Sequence, residues 1–333
     1  MEHEQWDAIL ASVLPRYGVQ VRGIEPLDDT TALIISDRGA KRLRIDTDER
    51  RVHRRHALWE HLAKQGFRRV PRHIRTLYGE AIVQADGAFC TLSDEWEGRV
   101  PEVMPLDMRL AGRNLARLHQ VVKGLELGEE IALPKRHGTW LTRFAKVGDE
   151  LEQRYVNWNE FRQRNALQDR FVEHFEWIAE QVGIAVEGLT AGRYEELARR
   201  AEQEGAFALG EYRLNDLRID YEGRVATLHI DDAVADLPLY DAAKFALGLV
   251  ERGENQMATL FLDSYAETMG LSQQEVVVID SYLAFPHAAY RHLSQYNRLK
   301  RGADVFAERL ESAVREAQSR LPMLYGAGSA RWV

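Results

Sequence analysis

Among the acidic residues and histidines between positions 211 and 232, five have the spacing of one site that could bind a metal ion or move a proton. Four are carboxylates, namely Glu211, Asp216, Asp231 and Asp232, and His229 precedes the last two. Mg²⁺ prefers carboxylate oxygens, so an acidic group around a short strand suits a metal-phosphate site. Imidazole suits Mg²⁺ poorly. The pattern therefore predicts a phosphotransfer site in which some residue types have been altered.

The N-terminal part of the chain must supply the sheet that positions such a site. An amphipathic helix is expected first, with Trp6, Ile9 and Leu10 on its apolar side. Turn signals and alternating apolar residues then predict strands at 19–25, 31–36, 40–45, 81–85 and 88–93, with a helix at 49–65. This is a small antiparallel sheet with one helix inserted after the third strand.

The remainder of the chain has the apolar spacing of helices from Pro105 onwards. Its one clear return to strand is 217–230, around a turn at Glu222-Gly223. We expect an N-terminal lobe at 1–95 and a helical C-terminal lobe at 96–333. The second lobe would carry a catalytic-loop-like hairpin at 209–232.

Composition excludes several classes of protein. A single cysteine, Cys90, excludes disulfide scaffolds and cysteine-rich metal sites and indicates a reducing compartment. No run of eighteen apolar residues is present, so no membrane-spanning helix is expected. The N-terminus is acidic and lacks the order of a signal peptide, which favours a cytoplasmic location.

Charge is distributed unevenly along the chain. The formal net charge is −8, yet the segment from Lys41 to Arg75 contains twelve Lys or Arg and only four Asp or Glu. A basic face at Arg50–Arg75 could attract an acidic protein partner, although a solvated helix face also explains it. Nothing else in the sequence favours nucleic acid, because no finger or helix-turn-helix signature accompanies these charges.

Several short runs, taken in order, resemble the aminoglycoside phosphotransferase and choline kinase superfamily, and within it the CotS/YutH-type spore coat proteins. The runs are KRLRI, QGFRRVPRHIRTLYG, EWEGR, AGRNLARLHQ, DLPLYDAAK and SYLAFPHAAY. The resemblance implies an α+β, bilobal protein-kinase-like fold with a small antiparallel-sheet N-lobe and a larger, mainly helical C-lobe. It also implies an association with sporulation and with spore coat proteins.

The resemblance assigns nucleotide-binding positions in the N-terminal half. The third-strand lysine that holds phosphates falls on Arg44, and Glu97 lies in the hinge. The helix glutamate that would pair with that lysine falls near Arg55, and Glu60 is the nearest carboxylate on the helix. Two arginines in place of an opposite-charge pair would repel each other.

The resemblance also assigns the catalytic loop. The catalytic aspartate falls on Glu211, whose carboxylate is one methylene longer, and the metal-binding asparagine falls on Asp216. The metal-binding aspartate falls on His229 when DLP is kept in register, and a two-residue shift moves it to Asp231. Both registers remain open. In the first hairpin Asp28 would oppose a bound triphosphate.

These changes together favour a degenerate kinase-like protein, a pseudokinase, that acts as a scaffold or binding protein. No cofactor is expected in that case. Two alternatives remain open. One is an active small-molecule phosphotransferase that uses ATP and Mg²⁺, with Glu211 as base and with Asp216 and Asp231 as metal ligands. The other is a sensor that binds nucleotide without turnover, with Arg44 as the phosphate clamp.

Overall fold

A computed structural model describes residues 9–321, so the expectation for Trp6 lies outside the described residues. Backbone contacts divide the described chain into two compact units. The sheet unit comprises 9–102, Arg117–Pro134 and Leu209–Val234. The helical unit comprises Val103–Ala116, Lys135–Ala208 and 235–321.

The sheet unit contains a five-stranded antiparallel sheet with strand order β1-β2-β3-β5-β4. Its strands are β1 (Val21–Asp28), β2 (Thr31–Ser36), β3 (Gly39–Asp46), β4 (Val83–Ala85) and β5 (Ala88–Asp94). The predicted sheet is thus confirmed, including the tight turn between β2 and β3. In that turn Ser36 Oγ donates to the carbonyl of Gly39 at 2.7 Å.

One face of this sheet is covered by the helical residues 9–13, labelled α1, and by the 3₁₀ turn Leu14–Tyr17. Alternate strand residues point towards them, as the two-residue period of a strand requires. The buried cluster includes Ile9, Val13, Ile34, Leu43, Ile45, Cys90 and Leu92. Cys90 is a buried residue in a strand, as predicted.

The helix after β3, α2 (Glu49–Lys64), begins where Asp48 accepts a hydrogen bond from the backbone N–H of Arg51 at 3.0 Å. A side-chain cap of this kind satisfies one of the free donors in the first turn. The buried side of α2 is apolar except for one residue, Arg55. A charged residue on the core face of a helix needs a partner, which the site described below provides.

A second, two-stranded antiparallel sheet belongs to the sheet unit and consists of β6 (Leu217–Ile219) and β7 (Val225–Thr227). The predicted turn at Gly223 is present, with φ of +74°. The strand predicted to reach residue 230 ends earlier, at Thr227. Ile219 also forms an antiparallel bridge with Arg99.

The helical unit is built from long helices, as the spacing predicts. The helices are α3 (Pro105–His119), whose last residues belong to the sheet unit, α4 (Thr139–Asn159), α5 (Ala166–Ala191), α6 (Tyr194–Gln203), α7 (Leu239–Val250), α8 (Asn255–Met269), α9 (Gln273–Ala284), α10 (His287–Leu299) and α11 (Ala303–Leu321). Helix α5 packs against α4, α9 and α11. None of the described helices combines the length and apolar composition needed to cross a bilayer.

Candidate functional site

Two arginines of the sheet unit occupy the positions where the resemblance places an opposite-charge pair. Arg44 lies on β3 between its cross-strand neighbours Thr31 and Thr91. Arg55 lies on the core face of α2, and its side chain is only 3% exposed. A guanidinium keeps its charge when buried, so Arg55 must be compensated by nearby carboxylates.

The compensation comes from Asp231, which contacts both arginines. Its Oδ1 accepts a hydrogen bond from Arg55 Nη1 at 2.9 Å. Its Oδ2 lies 2.7 Å from Arg44 Nη2, as an ion pair whose atoms are not aligned for a hydrogen bond. The sequence predicted that Arg44 and Arg55 would repel each other. The two charges do oppose each other, but a carboxylate remote in sequence lies against both arginines and offsets the repulsion.

A second carboxylate, Asp46, extends these contacts at the end of β3. It lies 3.4 Å from Arg55 Nη1 and accepts hydrogen bonds from Arg51 at 2.6 and 3.0 Å. Only 3% of the Asp46 side chain is exposed, whereas 46% of the Arg51 side chain is, so solvent reaches the arginine side of this pair. We call Arg44, Asp46, Arg51, Arg55 and Asp231 the arginine–aspartate network.

Ionisation of the network follows from these contacts. Burial raises the pKa of Asp231, but the charges of Arg55 and Arg44 outweigh it and hold that pKa below its usual value. The pKa of Asp46 is lowered in the same way, with burial opposed by Arg51. Burial lowers the pKa of Arg55. Both carboxylates are therefore ionised at neutral pH.

Two stacked imidazoles lie beside the network and predict how stability depends on pH. The rings of His56 and His73 are 5.0 Å apart, and burial with nearby cations lowers the pKa of His73 to about 3. Below about pH 6.5 the imidazole of His73 takes up a proton in the unfolded chain but stays neutral in the folded protein. Stability should therefore fall from pH 6.5 downwards, with Asp46 and Asp231 adding further loss below about pH 4.

Urea unfolding at pH 7 and pH 5 measures this effect. His73→Phe should reduce the difference in stability between these two pH values by about 2 kcal/mol, since one proton contributes about 1.4 kcal/mol per pH unit only below about pH 6.5. The control is His53→Phe, which makes the same replacement at an exposed histidine. Equal differences in wild type and His73→Phe would contradict the buried, neutral state of His73.

Three of the predicted site residues line one cleft of about 270 Å³ within the sheet unit. These are Arg44, Asp216 and His229, and Trp96 forms part of the same lining. Asp216 Oδ2 is buried without a hydrogen-bond partner among residues 9–321. The structure therefore brings together the positions assigned to the nucleotide lysine and to the metal ligands.

The other predicted site residues have different surroundings. His229 Nε2 is 2.8 Å from Asp232, and its Nδ1 is 3.9 Å from Asp231. Glu211, at the position of the catalytic aspartate, accepts a hydrogen bond from Arg213 at 3.2 Å. Glu97 is exposed in the segment after β5. No group of three or more His, Cys, Asp or Glu in the described chain is arranged to hold a metal ion.

The turn between β1 and β2 determines what could cover a phosphate in this cleft. It contains only two residues, and Asp28 accepts hydrogen bonds at 2.8 Å from the N–H and hydroxyl of Thr30. This turn presents carboxylates, where a phosphate requires N–H donors. Since both oxygens of Asp231 lie against guanidinium groups, the residues here do not fit a magnesium–triphosphate complex.

Gly210 shows how tightly the loop carrying Glu211 is held. Its φ is +78°, and an added Cβ would collide with the backbone carbonyl of Asp232. We expect Gly210→Ala to lower the free energy of unfolding by about 3 kcal/mol, because strain and a backbone clash add together. Gly223 has a similar φ of +74° with open space around it. Gly223→Ala should thus cost only about 1 kcal/mol, and equal losses in urea unfolding would contradict the close approach.

Sequence reasoning did not find Asp46 and Arg51. Asp46 ends β3 and Arg51 lies in the first turn of α2, so the connection between the two elements brings them together. A carboxylate before a helix and an arginine five residues later could have signalled this pair. The bond from Arg55 to Asp231 spans 176 residues, and no local pattern predicts it.

Comparison with known proteins gives a family and a fold. The family described as "Spore coat putative kinase YutH" matches residues 12–325. No curated protein matches the chain. An aminoglycoside phosphotransferase from Alicyclobacillus acidocaldarius subsp. acidocaldarius DSM 446 has a similar structure, with a TM-score of 0.75 at 12% identity over 95% of each chain.

A second solved structure is spectinomycin phosphotransferase APH(9)-Ia with ADP and spectinomycin. It has a TM-score of 0.53 at 12% identity and covers 96% of this chain and 98% of its own. At such low identities the similarity establishes the fold alone. The predicted kinase-like fold, with a small antiparallel sheet and a mainly helical remainder, is confirmed.

Proposed function

Because the chain belongs to the spore coat YutH family of kinase-like proteins, we propose that it acts in the spore coat as a scaffold or binding protein and does not transfer phosphate. The observation that carries this proposal is Asp231, whose oxygens lie 2.7 Å from Arg44 and 2.9 Å from Arg55. Phosphoryl transfer depends on metal ions that neutralise charge on the phosphate. A carboxylate held between two guanidinium groups is not presented to such an ion.

The short turn above the cleft supports the same proposal. Asp28 lines the cleft and Asp29 is the next residue of the turn, where a triphosphate would need hydrogen-bond donors; Asp28 already accepts two hydrogen bonds from Thr30. Two negative charges at this position oppose a polyanion electrostatically. The short turn and the contacts of Asp231 with two arginines thus both disfavour the binding of ATP with Mg²⁺.

Thermal unfolding with and without ATP and Mg²⁺ tests the proposal. We expect no change in melting temperature and no consumption of ATP. A ligand at one hundred times its dissociation constant would add about 2.7 kcal/mol, which is readily measured. A shift that requires Mg²⁺ and is accompanied by ATP consumption would support an active phosphotransferase and would overturn the scaffold.

The cleft itself favours a second candidate, nucleotide binding without turnover. Trp96 offers a flat apolar surface and Arg44 a cation in a space of about 270 Å³. Structures of the related fold are described with ADP or with AMP, each in spectinomycin phosphotransferase. A melting shift with ATP that neither needs Mg²⁺ nor consumes ATP would support this candidate.

We further propose that the basic face at Arg50–Arg75 binds an acidic coat partner. Several of its arginines have internal roles, because Arg51 and Arg55 belong to the network and Arg54 donates to the carbonyl of Ile131. Three other exposed cations have neither an ion-pair partner nor a hydrogen-bond partner among residues 9–321, whereas exposed Arg75 donates to the carbonyl of Gly79. These three cations are Arg50, Lys64 and Arg68.

A fluorescent fusion in sporulating cells tests this surface. Reversing charge at all three positions, with Arg50→Glu, Lys64→Glu and Arg68→Glu, should abolish localisation to the coat. The matched control reverses three exposed arginines of the helical unit and should leave localisation intact; these are Arg162, Arg199 and Arg301. Coat localisation that survives the first set of changes would refute the docking surface.

A further inference from the structure

A pocket inside the helical unit is lined mainly by apolar residues from five helices. It lies where α5, α7 and α11 meet the junction of α9 and α10, and its volume is about 40 Å³. Small side chains leave this space open, since larger ones at the same positions would fill it. The alanines of the lining are Ala284, Ala288, Ala289, Ala313 and Ala317. The pocket offers room for about three or four groups of the size of a water molecule.

One polar side chain, Gln181 of α5, is buried in the lining of this pocket. The residue is only 2% exposed, and its Oε1 atom has no hydrogen-bond partner in the described chain. Most buried polar groups in proteins are hydrogen-bonded, because an unpaired one has lost its contact with water without compensation. A buried amide oxygen in the wall of a pocket therefore indicates that a hydrogen-bond donor is missing from the pocket.

The N-terminus of α10 supplies hydrogen-bond donors to the same pocket. No side chain among the described residues caps its first turn, in which Ala288 and Ala289 line the pocket. The first N–H groups of a helix have no partner within the helix. Those of His287 and Tyr290 donate to nearby carbonyls. The N–H groups of Ala288 and Ala289 are thus left for an acceptor group in the pocket.

The charges around the pocket favour a neutral ligand. Glu251 is the one charged side chain among the described residues of the lining, and it accepts a hydrogen bond from Arg291 at 3.2 Å. Burial lowers the pKa of His287, which also lines the pocket, to about 3, so its ring is neutral. The carboxylate of Glu251 would oppose an anion, whereas the partial positive charge of the α10 N-terminus would oppose a cation.

We propose that this pocket binds a small neutral molecule that carries a hydroxyl group on a short apolar chain. A hydroxyl group can donate to Gln181 Oε1 and accept from an N–H of the first turn of α10. The apolar chain would contact Leu247, Val250 and Leu283 of the lining. Water could form the same hydrogen bonds but would leave this apolar surface hydrated. The site lies within the helical unit and does not depend on the proposed function.

Saturation-transfer difference NMR on the full chain tests the site with three probes of similar size. The probes are 1-propanol, propionate and propylammonium, which are neutral, anionic and cationic at pH 7. We expect 1-propanol to bind saturably with a dissociation constant on the order of 1 mM, and both ions to bind at least about tenfold more weakly. Propionate that binds as tightly as 1-propanol would overturn the neutral ligand. The absence of saturable 1-propanol binding would mean that water alone fills the pocket.

Two pairs of variants locate the binding. Gln181→Met removes the acceptor with little change of shape and should weaken 1-propanol binding about tenfold, the contribution of about one hydrogen bond. Its control is Gln203→Met, at an exposed glutamine of α6, which should leave binding unchanged. Ala313→Leu fills the pocket and should abolish binding, whereas Ala191→Leu, at the exposed end of α5, should preserve it.

Unchanged binding in Gln181→Met and Ala313→Leu would refute the site, since the alcohol would then be held elsewhere. Loss in Ala313→Leu alone would show an apolar cavity in which the buried amide takes no part, and would overturn the choice of a hydroxyl ligand. Should either variant fail to fold, a wild-type crystal soaked in 1-propanol decides the question. We expect the alcohol oxygen about 3 Å from Gln181 Oε1, and a pocket that holds only water would contradict the proposal.

Discussion

Asp231→Asn is expected to lower the free energy of unfolding by about 3 kcal/mol, in the range found when one partner of a buried ion pair is removed. The substitution keeps the shape of the side chain and removes its charge. Arg44 and Arg55 would then repel each other with only Asp46 to offset them. The lower part of the range applies, because 32% of the Arg44 side chain is exposed and solvent screens it.

Urea unfolding at pH 7 and low salt measures this loss. The matched control is Asp232→Asn, whose carboxylate is 48% exposed and pairs with His229. It should cost no more than about 1 kcal/mol, as expected for a surface ion pair. Equal, small losses in both variants would mean that Asp231 contributes nothing beyond an ordinary surface contact.

Arg55→Glu should be more damaging, because it places the residue type expected from the kinase-like resemblance into this altered site. A carboxylate at position 55 would lie next to Asp46 and Asp231, and three buried negative charges would have only two arginines beside them. We expect a loss of about 5 kcal/mol, near the upper limit for single substitutions. Restoring this one residue of the family pattern would thus destabilise the site and would not restore phosphate transfer.

The control for that prediction is Arg50→Glu, on the exposed side of the same helix. It makes the same change of charge and side chain and should alter stability by less than about 0.5 kcal/mol. Circular dichroism during urea unfolding would compare the two. A variant Arg55→Glu as stable as Arg50→Glu would contradict the burial of the Arg55 charge.

These expectations describe a site in which one charge of the ion pair implied by the resemblance has changed sign. The resemblance implies a cation on β3 paired with an anion on α2, and an acidic metal ligand nearby. Here cations occupy both positions, and Asp231 lies against both of them. The carboxylate has thereby become part of the packing of the sheet unit. Such a change stabilises the architecture and removes a ligand that a metal would need.

The sheet could be predicted because local signals define it. The two-residue turn after Ser36 and the positive φ angles of Asp86 and Gly87 fix the pairings of β2 with β3 and of β4 with β5 without distant contacts. The cap at Asp48 similarly fixes the start of α2. Elements held by turns and caps are visible in sequence, since their causes lie within a few residues.

The site could be predicted only in part. The sequence indicated that Arg44, Asp216 and His229 share one site, and they line one cleft. It could not indicate that Arg55 meets Asp231, because that contact depends on how two segments 176 residues apart pack together. In the folded protein, the burial of Arg55 and Asp231 determines how their charges interact. Two arginines that would repel in isolation are held together by a carboxylate between them.

A crystal structure grown with ATP and Mg²⁺ tests the central claim most directly. We predict that Asp231 will remain at hydrogen-bonding distance from Arg55 and in contact with Arg44, close to the present 2.9 and 2.7 Å, with no metal ion on its carboxylate. A magnesium ion bound to Asp231 and Asp216, with both arginines turned away towards the phosphates, would contradict the account.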